Sequence, residues 1–367
     1  MKKYLEILKG RIPGISQNGL NVPINDAGMR SPDTIIVRET SENYFDAETD
    51  DMDWYKLNTS HETIGHLPGK NKTVDKLSDI EKPGVLYREH EIRIPQMANS
   101  ALSENWLLKE MGDIHWELLS RGLEQKSSEF ADCNGNRLYA AFVRVKYAMG
   151  PLDHFLENET LHMKGAIKRA GDYTYYSNIK GQCNGQHLNA NLMSSFSARK
   201  ANDNKQIAKG KPVKNGSNLI EELEQTPDFY NEHQLLKKGI INEISSGGRQ
   251  FKFPGTVVAS VRHTINPYYE INGVGLLYFA AYPMIADECT AAFLKTTGIE
   301  DYGSSYHTTF RDIFYFANCN ANDVIKADLN TIEHLEGNQL KTTTSLYRDG
   351  DNTLMAKIIT IKQKTVL

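Results

Sequence analysis

Residues 273–294, with the sequence GVGLLYFAAYPMIADECTAAFL, would be apolar around nearly the whole circumference of a helix over its first turns. A surface helix keeps one polar face, so a helix without such a face must be buried. The longest apolar run, residues 273–281, has about half the length that a membrane-spanning helix needs. We therefore predict a helix over residues 274–293 that is enclosed by other elements of a globular protein.

Runs typical of β-strands surround this helix and a second one, predicted over residues 102–119. Each helix is preceded by one such run and followed by several more, and Asn134-Gly135 and Asp349-Gly350 are typical hairpin turns between them. The strand candidates are residues 85–94, 138–147, 160–170, 172–180, 255–261, 305–316, 342–348 and 353–363. A buried helix wrapped by an antiparallel sheet, present twice, predicts an α+β chain with a double hot-dog fold, in which two sheets each wrap one long helix.

Breaks in composition divide the chain into four parts. Residues 1–67 have helical patterns and predict a small helical domain, and the polar, lysine-rich residues 68–83 predict a linker. Residues 84–245 and 246–367 would then be the two hot-dog domains. Within the first, residues 197–217 carry six Lys and Arg among Asn, Gly and Pro, which predicts a mobile loop. That loop is either simply solvated or binds an acidic partner or the phosphates of coenzyme A.

Overall composition excludes several classes of protein. The net charge of −4 over 367 residues gives no reason to expect nucleic acid or an anionic membrane surface as a partner. The four cysteines lie far apart and without histidines at ligand spacing, so we expect no metal site and no disulfide framework. The N-terminus lacks the apolar core of a signal peptide. We therefore expect a cytoplasmic protein.

Two segments of the sequence resemble one known family. Residues 95–116, PQMANSALSENWLLKEMGDIHW, are similar to the first helix of the LnmK-type bifunctional acyltransferase/decarboxylases, and residues 266–283, NPYYEINGVGLLYFAAYP, are similar to the start of its second helix. The resemblance implies a double hot-dog enzyme of polyketide-type biosynthesis. Such an enzyme converts malonyl- or methylmalonyl-coenzyme A into a short acyl thioester on an acyl carrier protein, and it has no permanently bound cofactor.

The start of each helix supplies candidate groups for this chemistry. Loss of carbon dioxide from a malonyl thioester leaves an enolate, and the free N–H groups at a helix N-terminus can stabilise its oxyanion. In the first half these are the backbone groups of Asn99, Ser100 and Ala101, and in the second half those of Asn272 and Gly273. Tight entry of the chain into the helix explains the small residues at the first start as well as function does, and it is the preferred explanation at the second.

Three side chains are candidates for the reacting groups. The resemblance implies that Tyr139 relays the acyl group, although direct attack by the carrier thiol stays open, and tyrosines on strands are commonly packing residues. His115 would orient the substrate carboxylate or act as an acid, unless it is a core histidine beside Trp116. Glu270 lies where hot-dog thioesterases often carry an acid, but the histidine that accompanies that acid is absent here.

The N-terminal segment resembles an acyl carrier protein. Residues 27–34, AGMRSPDT, are similar to the motif whose serine receives phosphopantetheine, and Ser31 occupies the position of that serine. Arg30 and Pro32 replace the usual acid and leucine. Ser31 is therefore either a phosphopantetheine site or the N-cap of a helix in a degenerate carrier-like domain.

Two alternative functions remain open from the sequence. One is a thioesterase or dehydratase of the same fold with Glu270 or His115 as its base, and the other is a non-catalytic protein that docks carriers. The expected partners are acyl-coenzyme A and an acyl carrier protein, and a homodimer is also open. One working site between the two halves is the prediction.

Overall fold

The computed structural model describes residues 84–201, 203–224 and 227–365. The predicted carrier-like domain with Ser31 and the predicted linker lie outside the described residues.

Most strands of the described chain belong to one antiparallel sheet of eleven strands. The strand order is β1-β5-β6-β7-β4-β12-β15-β14-β13-β11, and β8 pairs with β7 outside this path. The strands are β1 (Val85–Glu91), β4 (Leu138–Met149), β5 (Thr160–Ala170), β6 (Thr174–Cys183), β7 (Gln186–Lys200), β8 (Asp203–Lys209), β11 (Ala259–Thr264), β12 (Tyr306–Tyr315), β13 (Val324–Leu335), β14 (Gln339–Arg348) and β15 (Thr353–Lys364). Two small hairpins pair β2 (Met97–Ala98) with β3 (Ala101–Leu102), and β9 (Glu243–Ser246) with β10 (Arg249–Lys252).

Five helices accompany the sheet. They are α1 (Glu104–Leu123), α2 (Asp228–Lys237), α3 (Pro267–Glu270), α4 (Ala281–Thr296) and α5 (Tyr302–Ser305). The long helix α1 packs on β1, β5, β6 and β7, while α4 packs on β11, β13, β14 and β15. We call β1 to β8 with α1 the first half of the described chain, and β11 to β15 with α4 and the loops between them the second half. None of the helices in the described residues has the length and apolarity required to cross a bilayer.

Helix α1 agrees with the helix predicted over residues 102–119. It begins two residues later because the side chain of Ser103 accepts a hydrogen bond from the backbone N–H of Trp106, which makes Ser103 the N-cap. The apolar residues spaced along its inner face are fully buried. Gly112 lies so close to Phe279 that a Cβ atom there would come within 2.6 Å of the phenyl ring. A glycine at this position therefore lets α1 contact the second half of the chain.

The sheet differs from the predicted pair of separate sheets. Strands β4 and β12 pair directly, from Arg144 opposite Phe314 to Ala148 opposite Phe310, and so join the two halves into one sheet. One large cluster likewise contains buried apolar residues of both halves, and two smaller clusters accompany it. The boundary predicted between residues 245 and 246 falls inside β9.

The helix predicted over residues 274–293 begins only at Ala281. Before it, the chain forms a tight loop closed by a bridge between Ile271 and Leu277, and Gly275 has a φ of +81°. The apolar side chains of this loop, such as Leu277, are buried without a helix. Apolar periodicity alone could not distinguish this loop from the first turns of the helix.

The predicted mobile loop at residues 197–217 is wrong over its first half. Strand β7 continues to Lys200 and pairs with β8, placing Ser197 opposite Lys209 and Arg199 opposite Ile207. This pair of strands was not predicted because many of its side chains are polar, and lysines and asparagines are uncommon in strands. For the same reason, most of β7 was not predicted to be a strand. Strand β13 was not predicted either.

Candidate functional site

A cavity with a volume of about 540 Å³ lies where the two halves of the described structure meet. Its walls come from β4, β7 and β8 of the first half, from α2, and from the loop before α4 and the end of β12 in the second half. We call it the central cavity. Of the residues predicted from the sequence, it brings together Tyr139, Asn272 and Gly273.

One side of the central cavity is aromatic. The rings of Trp116 and Phe142 lie 5.4 Å apart between centroids, and the ring of Phe279 lies 4.6 Å from Phe142 and 5.8 Å from Trp116. Contacts at these distances fix the positions of all three rings. A ligand entering the cavity therefore meets a rigid apolar surface on that side.

Tyr139 lies on β4 between two arginines. The guanidinium carbons of Arg137 and Arg199 are 5.3 Å and 5.2 Å from the centre of its ring. Arg199 also donates a hydrogen bond of 2.6 Å to the carbonyl of Val274 in the loop before α4. Positive charge is thus held beside the tyrosine, and Arg199 connects it to the second half of the chain.

The loop before α4 is held by Asn272. Its Oδ1 accepts hydrogen bonds from the backbone N–H groups of Val274 and Leu276 at 3.1 Å and 3.0 Å. Because these N–H groups are donors, the orientation of the side-chain amide is fixed. Neither the Nδ2 group of Asn272 nor the N–H of Gly273 has an acceptor among the described residues. Both are donors at the wall of the cavity.

Asn99, Ser100 and Ala101 do not form the N-terminus of α1. Asn99 and Ser100, with φ of 51° and 61°, are the turn of the β2–β3 hairpin and are exposed, while Ala101 is a buried strand residue. The chain reaches its first helical residue only at Glu104. Oxyanion stabilisation by these residues at a helix start is therefore not supported, and none of the three lines the central cavity.

His115 is buried behind the cavity. Its two ring nitrogens lie 2.7 Å from Oγ of Ser177 and 2.8 Å from Oγ of Ser194, and its ring packs 5.1 Å from Phe142. Burial lowers the pKa of His115 to about 3, so the ring is neutral. The sequence alternative of a core histidine fits these contacts.

Glu270 lies at the end of α3, outside the central cavity. Its carboxylate contacts Nε2 of His263 at 2.8 Å and accepts a hydrogen bond from the backbone N–H of Asn266 at 2.6 Å. His263 also contacts Glu288 at 2.8 Å, and the hydrogen bonds to both carboxylates outweigh burial and raise the pKa of the histidine to about 9. Glu270 thus belongs to an ion-pair cluster.

A buried network of charges occupies the start of α1. Arg311 donates to Glu104 at 2.8 Å and 2.7 Å and to Asp287 of α4 at 3.0 Å and 2.9 Å. The hydroxyl groups of Tyr147 and Thr308 also donate to Glu104. We call these five residues the buried ionic cluster. Although burial opposes ionisation, the charge of Arg311 keeps the pKa of Glu104 low. The ionised carboxylate therefore has a structural role.

Several cavity residues carried no recognisable sequence signal. Ser195 and Asn204 line the cavity with side-chain oxygens that are buried and have no partner. His233 of α2 is buried, donates from Nε2 to the carbonyl of Tyr315 at 2.9 Å, and has its pKa lowered to about 4, chiefly by burial. Lys237 also lines the cavity, as does Lys209, which belongs to the basic residues 197–217 recognised in the sequence. Only the pairing of β7 with β8 and the position of α2 bring these residues together.

No family model matches the sequence, and no curated protein matches it significantly. Among the solved structures that match its fold are two thioesterases. A 12:0-ACP thioesterase from Umbellularia californica is 11% identical, with a TM-score of 0.50, covering 77% of this chain and 94% of the thioesterase. A protein described as an oleoyl thioesterase from Lactobacillus plantarum is 10% identical, with a TM-score of 0.53, covering 77% of this chain and 97% of that protein. The chain has the hot-dog fold.

These similarities concern the fold and leave the LnmK-type resemblance a prediction. Within the described residues, no group of three or more His, Cys, Asp or Glu side chains is arranged to hold a metal ion.

Proposed function

We propose that the protein is a double hot-dog enzyme that acts on acyl thioesters at one site, the central cavity. The observation that carries this proposal is the meeting of Tyr139 from the first half with Asn272 and Gly273 from the second half in one cavity. The similarity of the fold to acyl-carrier thioesterases supports a thioester as the substrate.

The reaction that fits the cavity is acyl transfer with decarboxylation. The Tyr139 oxygen would attack the carbonyl of malonyl- or methylmalonyl-coenzyme A, forming an ester and releasing coenzyme A as the thiol. The carboxylate then leaves as carbon dioxide, and the enolate takes a proton to give an acetyl or propionyl ester. Attack by the thiol of an acyl carrier protein transfers this group and regenerates the tyrosine. Direct attack by the carrier thiol is the variant without a tyrosyl ester.

Decarboxylation needs an apolar site with donors for the developing oxyanion. The aromatic side of the cavity would keep the carboxylate poorly solvated, which favours its loss. The Nδ2 group of Asn272 and the N–H of Gly273 are donors whose hydrogen bonds are not already used, and Arg199 adds positive charge. These groups would stabilise the enolate oxygen without a metal or Schiff base.

Hydrolysis is less well supported because the candidate bases lie elsewhere. Both ring nitrogens of His115 are bound to serines, and Glu270 is paired with His263 outside the cavity. Among the described residues, the only carboxylate that lines the central cavity is Asp113, which is exposed and pairs with Arg88 at 2.8 Å. A water molecule bound in the cavity would have no well-placed carboxylate to activate it.

The test is to incubate the full chain with malonyl- and methylmalonyl-coenzyme A, with and without a phosphopantetheinylated carrier, and to identify products by mass spectrometry. Acetyl or propionyl groups on the carrier are expected. Free acid and free coenzyme A would instead indicate a thioesterase, and unchanged substrates would favour a carrier-docking protein.

Two matched variants sharpen the result. Tyr139→Phe is expected to abolish acyl transfer if the tyrosine relays the acyl group, and to leave it intact if the carrier thiol attacks directly. Glu270→Gln is expected to leave transfer intact, whereas it would abolish a hydrolase that uses this acid.

A further inference from the structure

A row of residues crosses three strands on the wall of the central cavity. Tyr139 of β4 lies opposite Ser197 of β7, which in turn lies opposite Lys209 of β8, and all three side chains line the cavity. Because neighbouring strands are about 4.8 Å apart, the backbone of Lys209 lies about 10 Å from that of Tyr139. The row therefore extends from the proposed reacting group to a cation.

Two side chains on the same wall have unused hydrogen-bonding atoms. Ser195 is 3% exposed and Asn204 is 6% exposed, yet Oγ of the first and Oδ1 of the second have no hydrogen-bond partner among the described residues. Asn204 donates from Nδ2 to the carbonyls of Gly275 at 2.6 Å and Cys319 at 3.0 Å, so its Oδ1 cannot exchange places with the nitrogen. Buried polar atoms without partners are rare, and a bound water or a polar ligand would satisfy these two oxygens.

The far end of the row is basic. Lys209 is held by a hydrogen bond to the hydroxyl of Tyr230 at 3.1 Å and by the ring of Tyr173, 4.9 Å from its nitrogen. Lys237 lines the same cavity, and burial and the charge of Lys209 lower its pKa. Neither lysine has a carboxylate partner among the described residues, whereas Lys205 pairs with Asp323 at 2.8 Å. An anion bound between Lys209 and Lys237 would relieve their repulsion.

We propose that this wall binds the phosphopantetheine arm of the thioester, with its phosphate at Lys209 and Lys237 and its amide groups at Ser195 and Asn204. The arm then runs along the row and brings its thioester to Tyr139. The amide N–H groups of the arm are the donors that Oδ1 of Asn204 lacks, and Oγ of Ser195 both donates and accepts. This assignment rests on the proposed thioester function. Coenzyme A and a carrier protein present the same arm.

The experiment is calorimetric titration of the full chain, in phosphate-free buffer, with coenzyme A, phosphopantetheine and pantetheine. Phosphopantetheine is expected to bind about tenfold more tightly than pantetheine, because a phosphate bound by two lysines gives charge-assisted hydrogen bonds. The double variant Lys209→Gln/Lys237→Gln is expected to bind both ligands equally. Equal wild-type affinity for phosphopantetheine and pantetheine, or an unchanged difference in the double variant, would overturn the phosphate site.

The matched control is Lys211→Gln. Lys211 belongs to the same basic stretch but pairs with Asp172 at 2.7 Å and does not line the cavity, so wild-type affinities are expected. A loss in Lys211→Gln equal to that in the double variant would mean that net charge alone attracts the ligand, and would contradict the site.

Ser195→Ala tests the amide part of the arm site. Pantetheine is expected to bind about threefold to tenfold more weakly to this variant, since one hydrogen bond is lost. The melting temperature should be unchanged or higher, because the variant removes a buried hydroxyl without a partner. Unchanged affinity together with a lower melting temperature would show a structural role and overturn this part.

Comparison of the ligands identifies the source of the arm. Equal affinity for coenzyme A and phosphopantetheine supports the site with a carrier-borne arm, and tighter binding of coenzyme A supports it with the free coenzyme. Because binding requires no turnover, an inactive protein with the expected affinities would disprove only the proposed function. An active protein without them would disprove only the arm site.

Discussion

The start of α1 and the loop before α4 differ in the hydrogen-bonding groups that they leave free for a ligand. At the start of α1, the carboxylate of Glu104 is buried and bound by Arg311, Tyr147 and Thr308. Before α4, the loop around Asn272 and Gly273 lines the central cavity with donors that have no acceptor among the described residues. The groups at the start of α1 are used within the buried ionic cluster. We therefore infer that the loop before α4, which lines the cavity together with Tyr139, serves the single site.

The first prediction concerns the buried ionic cluster at the start of α1, where a substitution should cost the most stability. Arg311→Met should lower the free energy of unfolding by about 3–5 kcal/mol, because it leaves the buried carboxylate of Glu104 without its main partner, whereas Asp287 keeps its ion pair with Lys362. Denaturant unfolding measures the change. The control is Arg262→Met, since Arg262 is exposed, pairs with Asp349 at the surface and should contribute less than about 1 kcal/mol. Similar losses in both variants would contradict a central role for the buried ionic cluster.

A second prediction concerns acid stability in the first half. The pKa of His115 is about 3 in the folded protein because of burial, below its ordinary value near 6.5, so between these limits the unfolded chain binds the proton more readily. Stability should therefore fall as the pH drops from about 6.5 towards 3, with His233 contributing in the same direction. Unfolding measured across this range should give a shallower slope for His115→Gln than for the wild type. Identical slopes would disprove this assignment.

In the second half, His263 should act in the opposite direction. Hydrogen bonds to Glu288 and Glu270 raise its pKa to about 9 in the folded protein, so its contribution is complete below about pH 6.5 and is lost as the pH rises through 9. Because Glu288 is largely exposed, we expect a loss of only about 1–2 kcal/mol. The variant His263→Gln should remove this alkaline decline in unfolding experiments, and a decline that persists would have another origin.

The last prediction concerns the backbone conformation of the loop before α4, where a substitution should cost the least stability. Gly275→Ala should lower the stability by about 1 kcal/mol, because alanine is strained at a φ of +81°. Gly273→Ala is the matched control, since Gly273 has no such backbone conformation and open space around its Cα. Thermal unfolding compares the two variants. Equal melting temperatures would mean that the loop adjusts without strain.

The sequence predicted the repeated elements better than their connections. The bounds of β5 agree with the predicted residues 160–170, and α1 was displaced by two residues at its start. Both have strong local patterns that tertiary structure reinforces. Residues 274–280 also have a strong apolar pattern, but their burial in a loop satisfies it without a helix.

The site was only partly predictable, because its residues are distant in sequence. Tyr139 followed from a family resemblance, and Asn272 and Gly273 from the same source together with the expected helix start. Nothing in the sequence connects Glu104 with Arg311, which lie 207 positions apart. Ser195 and Asn204 are ordinary polar residues until the pairing of β7 with β4 and β8 places them on a cavity wall.

We infer that the two halves of the chain contribute to one site, and a double-mutant cycle examines whether they do. The measurement is kcat/KM for transfer of the decarboxylated acyl group in Tyr139→Phe, Asn272→Asp and the double variant. Asn272→Asp keeps the oxygen that caps the loop and removes the Nδ2 donor. We expect losses of about 100-fold or more in each single variant and hardly more in the double variant, as for groups that act together. Losses that multiply would contradict the shared site, and a fully active Tyr139→Phe would contradict the relay of the acyl group by the tyrosine.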